Sequence, residues 1–371
     1  MSGRRYPKTV GHRGGSAGAL AVGSPERLNP KRKRRTNPEV ATPAKFPAAP
    51  LPKAKPRKSA APKSIENQLA DAAVAAARVL ARAGFADTYD TIRSQTIRSF
   101  AAAFAQAYGM PDAPHVDDYL GTLSPGDHQA FVDAVCAFDF ATLTPEQFGC
   151  VHEVLTGWKL DARDLVSSRE RHAGGVHFTP RSLTEPIVHR TLEPILSLLD
   201  RGEWPPPETP RVHGTGTLVL RVCDPSVGAG AFLLEAVRQL AQRMVDRGEE
   251  TDLLVAKRLV ALHCCYGLDI SRWAVASCKI ALWLECRAWS MPTWWLDDNI
   301  KMGDAVVGLD LDQIARFHWS PNGKDKKGQP IPEAPEIRAV VDRAMPQLVA
   351  ARVERMTTLT TIARSAACRE G

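Results

Sequence analysis

One stretch, residues 216–308, limits what this chain can fold into more than any other, because short apolar runs alternate there with helical periodicity. Leu218-Val219-Leu220-Arg221-Val222-Cys223 has the character of a buried strand, and Asp224-Pro225-Ser226-Val227-Gly228-Ala229-Gly230 reads as a turn. A helix follows from Ala231 to about Arg247, with Phe232, Leu233, Ala236, Leu240 and Met244 apolar. Leu262 to Leu268 is a second apolar strand ending at Asp269. Ser271 then caps a helix through roughly Trp289, and a third short strand precedes Gly303-Asp304. Strand, turn and helix repeated in this order predict a parallel sheet wound with helices, an α/β fold.

The first turn restricts the ligand. A dinucleotide fingerprint needs three glycines in GxGxxG and an acid about 20 residues on. Here Gly228 and Gly230 fit, but Leu233 holds the third position and Asp269 lies 45 residues beyond Asp224. No GK[ST] is present, so the phosphate-cradling loop fails as well. Gly228, Ala229 and Gly230 still allow a ligand close to the backbone. Asp224, at a strand end, suits a cationic amino group. Asp269 at the next strand end suits ribose hydroxyls, and Asp304 at the third suits an exocyclic amine. An ammonium, a ribose and an adenine amine in that order describe S-adenosyl-L-methionine.

The flanks differ in kind. Ile65, Leu69, Ala72, Ala73, Ala76, Val79 and Leu80 recur at helical spacing, and a second helix spans Tyr89–Tyr108. Thr144-Pro145-Glu146-Gln147 is a capping box opening a helix through about Trp158, so residues 64–170 read as a helical domain. Residues 1–63 carry sixteen Lys and Arg against Glu26 and Glu39, together with ten prolines. The whole chain has net charge +7, so the surplus of 14 in this segment leaves the other 308 residues at −7. Such a segment cannot bury enough surface to offset its ordering entropy and is expected to be a disordered basic tail. It is either a solvated arm or one that tracks phosphates.

Other classes are disfavoured. The eight cysteines form no CxxC unit, which argues against a zinc site or a disulfide scaffold and for reduced, cytoplasmic thiols. No apolar run approaches the roughly 18 residues of a membrane span, and the N-terminus shows no secretory signal.

Four ordered motifs carry a resemblance. Gly175-Val176-His177-Phe178-Thr179-Pro180 looks like motif X of the adenine-N6 DNA methyltransferases, and Asp224-Pro225-Ser226-Val227-Gly228-Ala229-Gly230-Ala231-Phe232-Leu233 looks like their motif I. Tyr266-Gly267-Leu268-Asp269-Ile270 is similar to motif II, and Gly303-Asp304-Ala305-Val306-Val307-Gly308 to motif III. Phe148 to Leu155 resembles the helix that precedes motif X. The chain thus resembles, from about 146 to 319, the large type IIG-like and BREX-like methylases of restriction-modification and phage-defence systems. The resemblance implies a Rossmann-like, S-adenosylmethionine-dependent methyltransferase sheet and double-stranded DNA as partner. It puts Thr179 and Pro180 at the amino-acid end of the cofactor, with Asp224, Gly228 and Gly230 along the methionine part. Asp269 would meet the ribose and Asp304 the adenine amine, and Pro225, Phe232 and Ile270 complete the expected binding set. For His177 and Phe178, ligand contact and packing against the sheet stay equally open.

The family's second motif, Asn/Asp-Pro-Pro-Tyr/Phe, holds the target amine and stacks on the flipped base. Neither Pro205-Pro206-Pro207 nor Ser320-Pro321-Asn322 supplies it, so no catalytic residue is assigned. Only three strands are legible, and the sheet is expected to be partial, with Leu218–Cys223 an open edge. The helix bearing Ile337, Val340, Val341, Ala344, Leu348, Val349, Val353 and Met356 is expected to bend at Pro346, with its stripe uncovered. The expected layout is a tail (1–63), a helical domain (64–170), a cofactor domain (171–312) and a loop opening a helical insertion (313–371). Three readings remain: a methylase whose sequence ends early, a split enzyme whose second polypeptide brings the catalytic motif and target-recognition domain, or a non-catalytic binding protein. Weak cofactor binding or none, and no methyl transfer to DNA, are expected of this chain alone.

Overall fold

The computed structural model describes residues 63–365 except 119, 122, 169–177, 205–215, 309–310, 319–322, 326 and 333. The basic tail up to residue 62, Gly175-Val176-His177, Pro205-Pro206-Pro207 and Ser320-Pro321-Asn322 lie outside the described residues.

Helices α1 (Ile65–Arg82), α2 (Tyr89–Ala107), α3 (Pro125–Val135) and α4 (Phe148–Thr156) form the first layer. Ser64, Thr88 and Ser124 cap the first three through their side chains, as residues that free the first-turn N–H groups from solvent should. Gln147 Oε1 accepts from Thr144 N–H at 2.9 Å, closing the expected box before α4. Phe100, Phe104, Phe140 and Phe148 meet edge to face at the centre of this layer. The layer is not wholly helical. Where a helix through Trp158 was expected, Gly157 follows the last turn, and β1 (Trp158–Asp161) pairs antiparallel with β2 (Asp164–Ser167). Four-residue strands are too short for their alternation to stand out.

After α5 (Arg181–Asp200) come β3 (Val222–Asp224), α6 (Ala231–Asp246), α7 (Leu253–His263), β4 (Cys265–Asp269), α8 (Arg272–Glu285) and β5 (Ile300–Met302). The three strands form one parallel sheet in the order β3-β4-β5. Three expectations are corrected here. Leu218 and Val219 belong to a single 3-10 turn, Gly216–Val219, so the first strand begins only at Val222. Leu218 and Leu220 are apolar because they are buried, and an apolar run does not reveal the backbone that buries it. Arg221 Nη1 donates to the Leu218 and Leu220 carbonyls at 2.8 and 2.7 Å, satisfying groups that a strand partner would otherwise take. Leu262 closes α7, a helix capped by Asp252, so the second strand starts at Cys265. Finally, α8 ends at Glu285, because Arg287 turns left-handed (φ 44°) and Ala288 N–H returns to the Trp283 carbonyl at 3.0 Å.

The short α9 (Leu311–Ala315) precedes α10 (Pro335–Ser365), which runs through Pro346. Its stripe is only partly as expected: Val340, Leu348 and Val349 are exposed, while Leu359 and Ala363 are buried and Met356 and Ile362 pack on the sheet's core. A hydrogen bond between Thr360 and His263 (2.9 Å) and an Arg355–Asp298 ion pair (2.7 Å) fix that end. Among the described residues, no helix is long and apolar enough to cross a membrane.

The helical layer meets the sheet through α8, whose Leu284 joins the helical core. Arg238 of α6 pairs with Glu146 ahead of α4 and with Glu285 of α8, and Lys257 reaches Glu285 at 2.7 Å. These charges are mostly buried and mutually satisfied, so removing one partner leaves the others costly.

Candidate functional site

In parallel register Asp224 stands level with Gly267, and Asp269 level with Met302. Asp269 therefore projects two residues, about 6.6 Å, beyond Asp224 on the same side of the pleat. The turn between β3 and α6 is strapped onto β4: Val227 N–H donates to the Leu268 carbonyl (2.8 Å), and Gly228 N–H donates to Asp269 Oδ2 (3.0 Å). The other Asp269 oxygen accepts from Ser271 N–H at 2.8 Å, at the start of α8. One carboxylate thus ties the glycine turn to the next helix.

The two glycines of the turn do different jobs. Gly228 is left-handed (φ 53°), and a Cβ there would meet nothing within 4 Å, so its backbone faces open space. Gly230 is also left-handed (φ 89°), but a Cβ there would lie 2.8 Å from Cys278 Sγ of α8. Its bareness serves helix packing. Of the two glycines, open space lies beside Gly228 alone.

A cavity of about 330 Å³ opens beside this turn, near the lower end of the roughly 300–1,000 Å³ of small-molecule sites. Of the residues expected from sequence, Thr179, Gly228, Phe232, Asp269 and Ile270 line it. Phe178 lines it too while packing on the helical core. Pro180, Pro225, Gly230 and Asp304 are not lining residues. Pro180 is the exposed N-cap of α5. Asp304 is exposed and turned onto its own loop, accepting from Val306 N–H (2.8 Å) and Val307 N–H (3.2 Å). Asp224 also stands just off the lining and accepts from Ser226 N–H at 3.0 Å. Burial, with a smaller push from Asp269 and against the Ser226 hydrogen bond, raises its carboxyl above the ordinary aspartate range. Neither Asp224 nor Asp269 forms an ion pair among the described residues, and no Lys or Arg lines the cavity.

The opposite wall is α4, through Gly149, His152, Glu153 and Thr156. A Cβ on Gly149 would come within 3.0 Å of Ala229 Cβ, so this glycine lets the helix close over the turn. Glu153 Oε2 accepts from Phe178 N–H at 2.8 Å and anchors the segment carrying Thr179. Sequence reasoning gave none of these four residues a role. The one local signal is a glycine and an adjacent His-Glu pair on an otherwise apolar, largely buried helix. Among the described residues no cluster of His, Cys, Asp or Glu is arranged to hold a metal ion.

Comparison with known proteins gives one relationship. The chain is 26% identical over 207 aligned residues to a Methanocaldococcus jannaschii protein named "Putative type II restriction enzyme and methyltransferase RM.MjaORFECS2P". The alignment covers 45% of this chain and 17% of that protein, so the chain spans about a sixth of the relative's length. No family model matches, and no solved structure matches.

Proposed function

We propose that the chain provides the cofactor-binding half of an adenine-N6 DNA methyltransferase of a restriction-modification or phage-defence system. The observation that carries the reading is the pair of carboxylates, Asp224 and Asp269, standing unpaired by any cation beside an open glycine backbone. A protein that assembles two buried or half-buried acids without a counter-charge favours a cationic, hydroxyl-bearing ligand. S-Adenosylmethionine fits that donor set: it brings an ammonium, a sulfonium and a ribose diol. When bound, it supplies a methyl group activated by the positive sulfur.

The chain's own residues bind and orient. Asp224 neutralises the ammonium. Asp269, held from the rear by Gly228 and Ser271 N–H, offers its remaining lone pairs to the ribose. Gly228 would let the methionine chain approach the backbone, and Phe232 and Ile270 would offer it apolar surface. α4 closes the far wall of the site. No Asn/Asp-Pro-Pro-Tyr/Phe occurs in the 371 residues. That observation favours a division of labour, with double-stranded DNA seated by a second polypeptide or segment that carries the motif.

The test incubates the full chain with tritiated S-adenosylmethionine and unmethylated duplex DNA. The parent chain is expected to retain label on ultraviolet crosslinking, Asp224→Ala to lose it, and the DNA to stay unlabelled. Retention equal in parent and Asp224→Ala contradicts the site, and label in the DNA contradicts the division of labour.

A further inference from the structure

The wall supplied by α4 contains a buried ring nitrogen with no counterpart. His152 is 2% exposed and lines the cavity. Arg93 of α2, itself buried, places Nη2 3.1 Å from His152 Nδ1. A guanidinium only donates, so Nδ1 accepts and the ring's proton sits on Nε2. The guanidinium is held in place by Thr156 Oγ1 at 2.6 Å and by the face of Trp273, 5.0 Å from the ring centroid. Burial, reinforced by that cation, keeps the imidazole neutral, with its pKa lowered to about 3. Nε2–H is therefore a fixed donor, and it meets no hydrogen-bond partner among the described residues. The large majority of buried side-chain donors are matched in folded proteins, and an unmatched one in a cavity wall points to an acceptor brought by the occupant.

The rest of the lining narrows that acceptor. Glu153 and Asp269 are acceptors, so hydroxyls and cations of a ligand already have partners. A ligand's anionic group has no Lys or Arg to meet, and His152 is the lining side chain with a nitrogen donor. Phe178 and Thr179 share the α4 wall, tied to Glu153 and lying against Gly149. This is the side on which the cofactor reading seats the amino-acid end. We propose that His152 is a ligand-binding residue that donates from Nε2 to the α-carboxylate of an adenosyl amino acid, with Arg93 as the positioning residue behind it. The proposal rests on the cofactor reading above and names which part of the ligand this wall recognises.

The experiment titrates the full chain with S-adenosylhomocysteine and with 5′-methylthioadenosine, which keeps the nucleoside and sulfur but lacks the amino-acid end. Affinities are read by nuclear magnetic resonance at ligand concentrations up to millimolar. His152→Phe is expected to weaken S-adenosylhomocysteine about 10-fold or more, as loss of a charge-assisted bond should. It should leave methylthioadenosine within about twofold. Equal S-adenosylhomocysteine affinity in variant and parent overturns the proposal, and so does an equal loss for both ligands. A parent chain that binds neither ligand overturns the cofactor reading and this inference with it.

Because Phe in a buried site can disturb folding, a second measurement uses the parent. Long-range nitrogen–proton spectra should show His152 as the Nε2–H tautomer, with that proton shifting on S-adenosylhomocysteine and not on methylthioadenosine. Arg93→Met should release Nδ1 and mix the tautomers. An unchanged ring pattern in that variant contradicts the positioning role.

Discussion

The carboxyl ends of β4 and β5 lie side by side in one sheet, one ending in Asp269 and the other followed by Asp304, yet they are built differently. At β4, Asp269 accepts from two backbone N–H groups of neighbouring elements and faces a cavity roofed by α4. At β5, Asp304 accepts, among the described residues, from its own loop, and Met302, Val306 and Val307 stand in solvent. An acid after an apolar run marks a strand end. Whether that end becomes a site depends on what covers it, and the cover comes from a helix more than 100 residues earlier in sequence.

The sharpest way to break this contrast is to disturb the packing of the glycine turn that borders the cavity. Gly230→Ala forces a Cβ toward Cys278 Sγ at a left-handed position. The backbone strain of roughly 1–2 kcal/mol and overpacking of roughly 1–3 kcal/mol should together cost about 2–5 kcal/mol in urea melts. Gly228→Ala meets open space and should cost only the strain, about 1–2 kcal/mol. Equal losses at the two positions would erase the distinction between a packing glycine and a site glycine.

Charge removal gives the next largest effect. Asp269→Asn should weaken S-adenosylhomocysteine about 10- to 100-fold, since a charge-assisted bond contributes about 1.5–3 kcal/mol. Asp304→Asn should change affinity by less than about threefold, the scale of an exposed contact. A larger effect at Asp304 would show that the β5 end closes onto the ligand after all.

The smallest effect concerns pH. Because Asp224 has its folded pKa raised, the folded state disfavours the carboxylate, and that penalty grows as pH rises through and above the ordinary aspartate value. Asp224→Asn should therefore raise the melting temperature slightly at neutral pH, and the gain should vanish in acid once both states are protonated. A gain that persists in acid would mean the acid is not electrostatically strained. The same variant should bind cofactor less well, a site acid being held at the expense of stability.

Much of the sheet side was legible in sequence, because turns and strand ends carry local chemistry. Asp224, Gly228 and Asp269 sit where turn residues and strand-end acids must, and their spacing survives any error in strand length. The lengths themselves were less legible. Leu218 and Leu262 are apolar for burial in a 3-10 turn and a helix, and burial leaves the same mark on either backbone. The division of labour between Gly228 and Gly230 depends on Cys278, nearly 50 residues away. His152 was unreadable for a further reason: its tautomer follows from Arg93 and its place in the cavity wall from the docking of α4, and both are tertiary facts.

The most direct test of the central claim is a crystal structure of the full chain with S-adenosylhomocysteine. Ligand density in the cavity beside Gly228 and Asp269, beneath α4 and with the amino-acid end toward His152, is the expected result. Density at another place, or side chains collapsed into the space beside the glycine turn, would contradict it.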